Sequence, residues 1–140
     1  MGLGYVGTPL LIELRKKGFN AFGVDIDKSR IQNIKASKDN HGELDFESLE
    51  ILKPIVASEF ESLDDQPNVY IVTVPTPIDK ENIPDLEPLI SCSAAISFRL
   101  NEGDLVIYES TVYPGTTEEI CVPILEQSGL KLGVNFSVGY

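Results

Sequence analysis

With 140 residues, 42% hydrophobic and 24% charged, the chain has the size and composition of one ordinary globular domain and is too short for two full ones. Eleven basic residues against 22 acidic ones give a formal net charge of -11, which argues against a general nucleic-acid or anionic-membrane surface. An anionic ligand therefore needs a local site made of helix N-termini and a few placed cations. No apolar run approaches the ~18 residues of a membrane span and no charged leader precedes an apolar core, so the expected location is the cytoplasm.

The chain begins with "GLGYVG", Gly2 to Gly7, a G-x-G-x-x-G turn. A helix follows, with Pro9 in its first turn, Leu10, Leu11 and Leu14 as an apolar stripe, and Lys16-Lys17-Gly18 as a cationic last turn and stop. "AFGVDID" predicts a buried strand over Ala21 to Asp27, and "KSRIQNIKAS" a helix with Ile31 and Ile34 on one face. The segment from Asp39 to Asp65 is acidic and irregular, a solvated face with a helix over Phe46 to Leu52 and a short strand at Ile55 to Ala57. "NVYIVTVPTP" predicts a strand from Val69 to Val74, stopped by Pro75 and Pro77. A Pro-rich loop leads to a helix over Glu87 to Leu100, a strand over Leu105 to Glu109, a loop through Thr111 to Gly115, a helix over Thr116 to Gln127 and a last strand in "GVNFSVGY". Strands alternating with helices of this length indicate βαβ units, hence an α/β, Rossmann-like, doubly wound and mostly parallel sheet.

A lone glycine motif is weak, because glycines gather at any tight strand-to-helix turn. Here a helix and then a strand follow it, and Asp25 falls 18 residues after Gly7 at the strand's end, near the spacing of a ribose-binding acid. In this reading Gly2 makes the turn, Gly4 leaves room for a pyrophosphate, Gly7 allows close helix–strand packing, and the helix N-terminus offers free N–H groups. Asp25 accepts from a ribose 2′-hydroxyl and repels a 2′-phosphate, which points to NAD rather than NADP. Asp27 is the nearer rival but reads as the N-cap of the next helix. Arg30 reads either as a contact to the adenosine ribose or phosphate or as a solvated helix residue.

Three further stretches, "VTVPTPID" with "PDLEPL", "YESTVYPGTTEE" and "FSVGY", together with "GLGYVG" and "VDID", resemble the UDP-glucose/GDP-mannose dehydrogenase family of nucleotide-sugar 6-dehydrogenases. The resemblance spans nearly the whole chain. "TPID" and "YPGTTEE" are more similar to the branch that oxidises UDP-N-acetylhexosamines for bacterial surface polysaccharides. It implies an NAD-dependent oxidation of a UDP-sugar C6 alcohol to an aldehyde and then a carboxylate, by two hydride transfers, with a cysteine capturing the aldehyde. Carried over, Tyr5 and Val6 belong to the cofactor turn. Val74, Pro75 and Thr76 line the cofactor, Thr76 near the ribose and nicotinamide. Thr111 stands near the nicotinamide and helps position the catalytic water. Without the resemblance, Thr76 and Thr111 read equally as turn or cap residues, although both follow strands at the sheet edge where α/β proteins bind ligands.

The family's first strand, which precedes the glycines, its catalytic Ser-Pro-Glu-Arg stretch, its central helix, its sugar-binding domain and its nucleophilic cysteine are not found in these 140 residues. The chain is accordingly expected to be an internal piece of a homo-oligomeric enzyme, a partial NAD-binding domain over residues 1–140, lacking its central strand and inactive alone. Without that strand, two neighbouring strands lose their shared partner, to be compensated by pairing across a dimer or rearrangement. Cys92 and Cys121 match no nucleophile; lying in helix-like apolar segments, with only His41 as a co-ligand, they read as buried, inert thiols rather than a metal site. The competing functions are a non-catalytic NAD- or nucleotide-sensing module and a structural protein that kept the fold and lost the ligand.

Overall fold

The computed structural model describes residues 1–38, 44–58, 68–78, 80–81 and 83–140. His41 lies outside these residues. The chain divides into two compact units, Met1–Leu63 and Asp64–Tyr140.

In the first unit the chain runs α1 (Gly7–Lys16), β1 (Gly23–Val24), α2 (Lys28–Lys35), α3 (Phe46–Leu52) and β2 (Val56–Ala57). Strands β1 and β2 pair in parallel, Gly23 beside Val56 and Val24 beside Ala57. Their helices close over a core of Leu3, Leu11, Ile12, Ile31, Ile34, Leu52, Ile55 and Val56. Gly23 is what allows this closure. A Cβ there would stand 2.5 Å from Leu11 Cδ2 and 2.7 Å from Leu3 Cδ2, closer than carbon atoms approach. A close-packing glycine of this unit is thus in the strand.

Each helix start follows from its neighbours in sequence. Asp27 caps α2, its carboxylate accepting from the N–H groups of Ser29 and Arg30, and Asp45 caps α3 through Ser48 N–H. The predicted strand Ala21–Asp27 contracts to two residues: Asp25 N–H makes a last bond to Ala57 O at 3.1 Å, and the next donor, Asp27 N–H, turns back to Asp25 Oδ1 at 2.8 Å. Ile26 between them is 90% exposed, so the alternation of a buried strand has already ended there.

The second unit is built as β3 (Val69–Val72), α4 (Glu87–Ser97), β4 (Leu105–Tyr108), a helical segment and β5 (Ser137–Gly139), with all three strands parallel in the order β3-β4-β5. Helix α4 turns Leu89, Cys92, Ser93, Ile96 and Ser97 inward, the spacing of one helical face. Full burial of Leu89 and Ile96 stabilises by roughly 1.5–3 kcal/mol each. At the opposite end of the strands, the buried Asp104 carboxylate accepts from Asn68 and Asn101 N–H and ties the starts of β3 and β4 together.

The helix predicted over Thr116–Gln127 is not one α-helix. It runs as a π turn (Thr117–Cys121), α5 (Val122–Leu125) and a 3-10 turn (Glu126–Ser128). Pro123 has no N–H to give the carbonyl four residues back and its ring crowds it, so the turn before it widens and Val122 N–H reaches Thr117 O. Strand β3 stops at Val72, two residues short of expectation, because Pro75 and Pro77 withdraw the following chain from the ladder.

The strands therefore form an α/β, Rossmann-like arrangement carried as two parallel sheets, one in each unit. No helix among the described residues is long and apolar enough to cross a membrane.

Candidate functional site

The first candidate segment is the glycine turn. Gly2 adopts φ 88°, a conformation that favours glycine, and its N–H bonds to Val24 O at 2.9 Å, which docks the turn beside β1. The first helical bond of α1 is Thr8 N–H to Gly4 O, at 3.1 Å. The N–H groups of Tyr5, Val6 and Gly7 lie before it and have no acceptor among the described residues. The capping position is Val6, which has no side-chain oxygen to offer, and the first turn contains no acid. This is an uncapped, electropositive helix start on an exposed turn, with Tyr5 81% and Val6 55% exposed. A Cβ on Gly4 would meet nothing within 4 Å, so the space above the turn is open.

Asp25 faces the same turn. Its Oδ2 accepts from Leu3 N–H at 2.6 Å and its Oδ1 from Asp27 N–H at 2.8 Å. A carboxylate has about four acceptor sites, so each oxygen is fixed in direction and keeps a lone pair to offer. Asp27, in contrast, is committed to α2: the Ser29 hydroxyl and N–H and the Arg30 N–H all bond Oδ1. These bonds, the Ser29 hydroxyl first, hold its carboxyl below the usual aspartate range.

Arg30 leans toward the start of α1. Its Nη2 is 3.4 Å from Thr8 Oγ1, and the buried Thr8 hydroxyl donates to Leu3 O at 2.8 Å. Its Nε is buried and has no partner. A guanidinium beside the positive end of a helix is an arrangement that favours an anion. Nothing in the sequence reading singled out Thr8, which looked like any first-turn residue.

The second candidate segment is the pair of loops at the carboxyl ends of β3 and β4. A backbone bond from Glu109 N–H to Val72 O starts it, at 2.9 Å. Beyond that, side chains take over: Ser110 Oγ donates to Val74 O and Thr76 Oγ1 to Thr111 O, both at 2.6 Å. The structure thus brings Val74, Thr76 and Thr111 together, with Pro75 exposed between the first two. Thr116 Oγ1 donates to Tyr113 O at 2.8 Å, and the Tyr140 hydroxyl lies 3.5 Å from Val112 O. Sequence reading missed Ser110; alternation along β4, which buries Val106, Tyr108 and Ser110 together, was the signal that could have found it.

The two thiols are buried and not in a disulfide. Their surroundings are less apolar than expected, because the hydroxyls of Ser93 and Tyr108 share a 2.7 Å hydrogen bond in the core, where they partly offset the effect of burial on Cys121. Burial pushes Cys92 up to about 11 and raises Cys121 as well, so both stay protonated at neutral pH. Among the described residues no group of three His, Cys, Asp or Glu side chains could hold a metal ion.

Parallel βαβ units, a glycine turn with unpaired N–H groups and an acid at the end of the next strand define a nucleotide-binding Rossmann-like domain. Comparison makes the class specific. The model of the UDP-glucose/GDP-mannose dehydrogenase family, NAD binding domain, matches residues 1–140. A UDP-N-acetyl-D-glucosamine 6-dehydrogenase of Pseudomonas aeruginosa is 48% identical over 142 residues, covering 100% of this chain and 33% of the relative. Among solved structures, GDP-mannose dehydrogenase from Pseudomonas aeruginosa matches with a TM-score of 0.81 and 30% identity, over 98% of this chain and 34% of that one. The UDP-D-ManNAc dehydrogenase of Pyrococcus horikoshii has a TM-score of 0.81 and 34% identity, with the same coverage of 98% and 34%.

The chain belongs to the UDP-glucose/GDP-mannose dehydrogenase family and corresponds to its NAD-binding domain. Its similarity extends to the UDP-N-acetylhexosamine branch. It spans about a third of the length of the relatives it matches.

Proposed function

We propose that this chain is the NAD-holding portion of a nucleotide-sugar 6-dehydrogenase that oxidises the C6 alcohol of a UDP-N-acetylhexosamine to a carboxylate, for polysaccharide precursor synthesis. The observation that carries this reading is the uncapped start of α1 beneath the open space at Gly4, with the Asp25 carboxylate fixed beside it. The N–H groups of Tyr5, Val6 and Gly7 receive the pyrophosphate, and Gly2 shapes the turn that presents them. Asp25 uses its remaining lone pairs for the adenosine ribose hydroxyls, and Arg30 adds positive charge on the same side. Val74, Pro75, Thr76 and Thr111 serve the nicotinamide riboside, with Thr111 directing the catalytic water. When bound, NAD accepts hydride, two equivalents for each alcohol taken to a carboxylate. The UDP-sugar, the homo-oligomeric assembly and the cytoplasmic setting belong to the longer protein of which this domain is part.

The test has two parts. Titration of this chain with NAD and NADP should show tighter binding of NAD, and Asp25→Asn should weaken NAD about tenfold while narrowing the preference. Equal or tighter binding of NADP by the unaltered chain removes Asp25 from the ribose. For the reaction, the full-length protein should form two NADH for each UDP-N-acetylhexosamine consumed; one NADH per sugar, or turnover of UDP-glucose alone, overturns the assignment.

A further inference from the structure

We propose that Ser110 is a positioning residue: by donating to the Val74 carbonyl it holds the Val74–Thr76 loop against Thr111 and so sets the place of the two threonines. The role rests on the cofactor reading above and deepens it.

The need for such a device follows from the sequence of the loop. Pro75 and Pro77 have no N–H, so a ladder of backbone bonds cannot continue past β3, and the last rung is Glu109 N–H to Val72 O. Past that rung two hydroxyl bonds run in opposite directions between the loops. Ser110 gives to Val74 O, and Thr76 gives back to Thr111 O, each at 2.6 Å. Together they close a ring that fixes both loops where the strands end. Ser110 is only 5% exposed, on the covered face that it continues from Val106 and Tyr108, so it does not itself reach a ligand. Thr111 and Pro75 are exposed and Thr76 is half-buried, so these are the groups the ring presents. A slip of about an ångström in such groups is enough to change how a ligand is held.

The experiment compares the chain with Ser110→Ala and Ser110→Thr, titrating each with NADH and with ADP-ribose, which contains the adenosine and pyrophosphate but no nicotinamide. Ser110→Ala should weaken NADH about tenfold and leave ADP-ribose within about twofold; Ser110→Thr, which keeps the hydroxyl, should restore NADH binding. In parallel, amide hydrogen exchange at Glu109, whose N–H is bonded to Val72 O beside the ring, should quicken at least about tenfold in Ser110→Ala, while Val106 to Tyr108 stay protected. Equal losses for both ligands, unchanged NADH binding, or a Ser110→Thr variant no better than Ser110→Ala overturns the positioning role. Unchanged exchange at Glu109 does the same. An unaltered chain that binds neither ligand refutes the cofactor reading itself, and the role falls with it; binding of both ligands unaffected by Ser110→Ala leaves that reading standing and removes the role alone.

Discussion

The glycine turn leaves three backbone N–H groups without an acceptor among the described residues, whereas the two loops after β3 and β4 bond three of their hydroxyls to carbonyls. Tyr5, Val6 and Gly7 have N–H groups with no acceptor among the described residues, and Arg30 Nε is buried without one. In the loops, by contrast, Ser110, Thr76 and Thr116 each give a hydroxyl proton to a carbonyl. The difference teaches how each segment meets a ligand. N–H groups on an exposed turn are satisfied by water until an anion displaces it, so an open turn is inexpensive to keep. A loop rich in proline has few backbone bonds of its own and must be held by side chains before anything can bind to it. In the proposed reading the ligand supplies the acceptors that the turn lacks, whereas hydroxyl bonds hold the loops in place beforehand.

The largest effect that can break this contrast comes from glycine. Gly23→Val forces a branched side chain against Leu3 and Leu11 and should destabilise the first unit by about 3 kcal/mol, read by denaturant unfolding. Gly4→Val fills open space instead; it should leave stability within about 0.5 kcal/mol and weaken NAD binding tenfold or more, about 1.4 kcal/mol. If Gly4→Val unfolds the protein, the turn is a packing feature and not an open cradle.

A somewhat smaller effect distinguishes the second unit by its response to alkali. Burial holds Cys92 protonated up to about 11 against an ordinary 9.0, and Tyr70 up to about 12 against 10.0, with the nearby Asp104 charge adding to the latter. For an acid whose folded pKa is raised, the stabilisation is fully present below the unfolded value and is lost as pH rises through the folded one. The Cys92 contribution, on the order of 2–3 kcal/mol, should therefore fade between about pH 9 and 11. Amide exchange followed from pH 8 to 10.5 should show protection of α4 and β4 falling by more than that of α1, after correction for intrinsic rates, and Cys92→Ala should remove part of the difference. Equal losses in both units would contradict it.

How much of this was legible in the sequence depends on whether local chemistry or packing decides the outcome. Helix α3 begins and ends where Phe46 and Leu52 place it, because Asp45 caps it and its apolar face is plain. The start of α4 at Glu87 is equally local, with Asp85 Oδ1 accepting from Glu87 N–H. Three features were not legible. The shrinkage of β1 depends on Asp27, whose N–H turns back to the Asp25 carboxylate although Asp25 N–H itself still reaches Ala57 O. The π turn before Pro123 depends on which carbonyl the chain can still satisfy. Gly23, where an added Cβ would collide with Leu3 and Leu11, shows no pattern in the sequence, since only the folded leucines reveal why a side chain is excluded there. For the site, the spacing from Gly7 to Asp25 was readable because it reflects a helix and a strand of ordinary length. The bonds of Thr8 and Ser110 were not, because they join segments 5 and 36 residues apart.

The smallest expected effect sharpens the contrast between Asp25 and Asp27, two aspartates with one residue between them. Asp27 is fully exposed and its carboxyl lies below the ordinary 3.8, held there first by the Ser29 hydroxyl and then by the N–H of Arg30. A folded pKa below the unfolded one means the stabilisation is present above about pH 4 and is lost as pH falls through the folded value. Asp27→Asn keeps a capping oxygen but no charge, so its loss of stability relative to the unaltered chain should be small at pH 7 and vanish toward pH 2. Its NAD affinity at pH 7 should stay within about twofold, because Arg30 and the start of α2 remain in place. Asp25→Asn should lose affinity and also stability, because its NH2 must face one of the two N–H groups, of Leu3 and Asp27, that the carboxylate accepts. If Asp27→Asn is instead the variant that gives up NAD, the ribose carboxylate is Asp27, and the capping bonds seen here are the ones the ligand displaces.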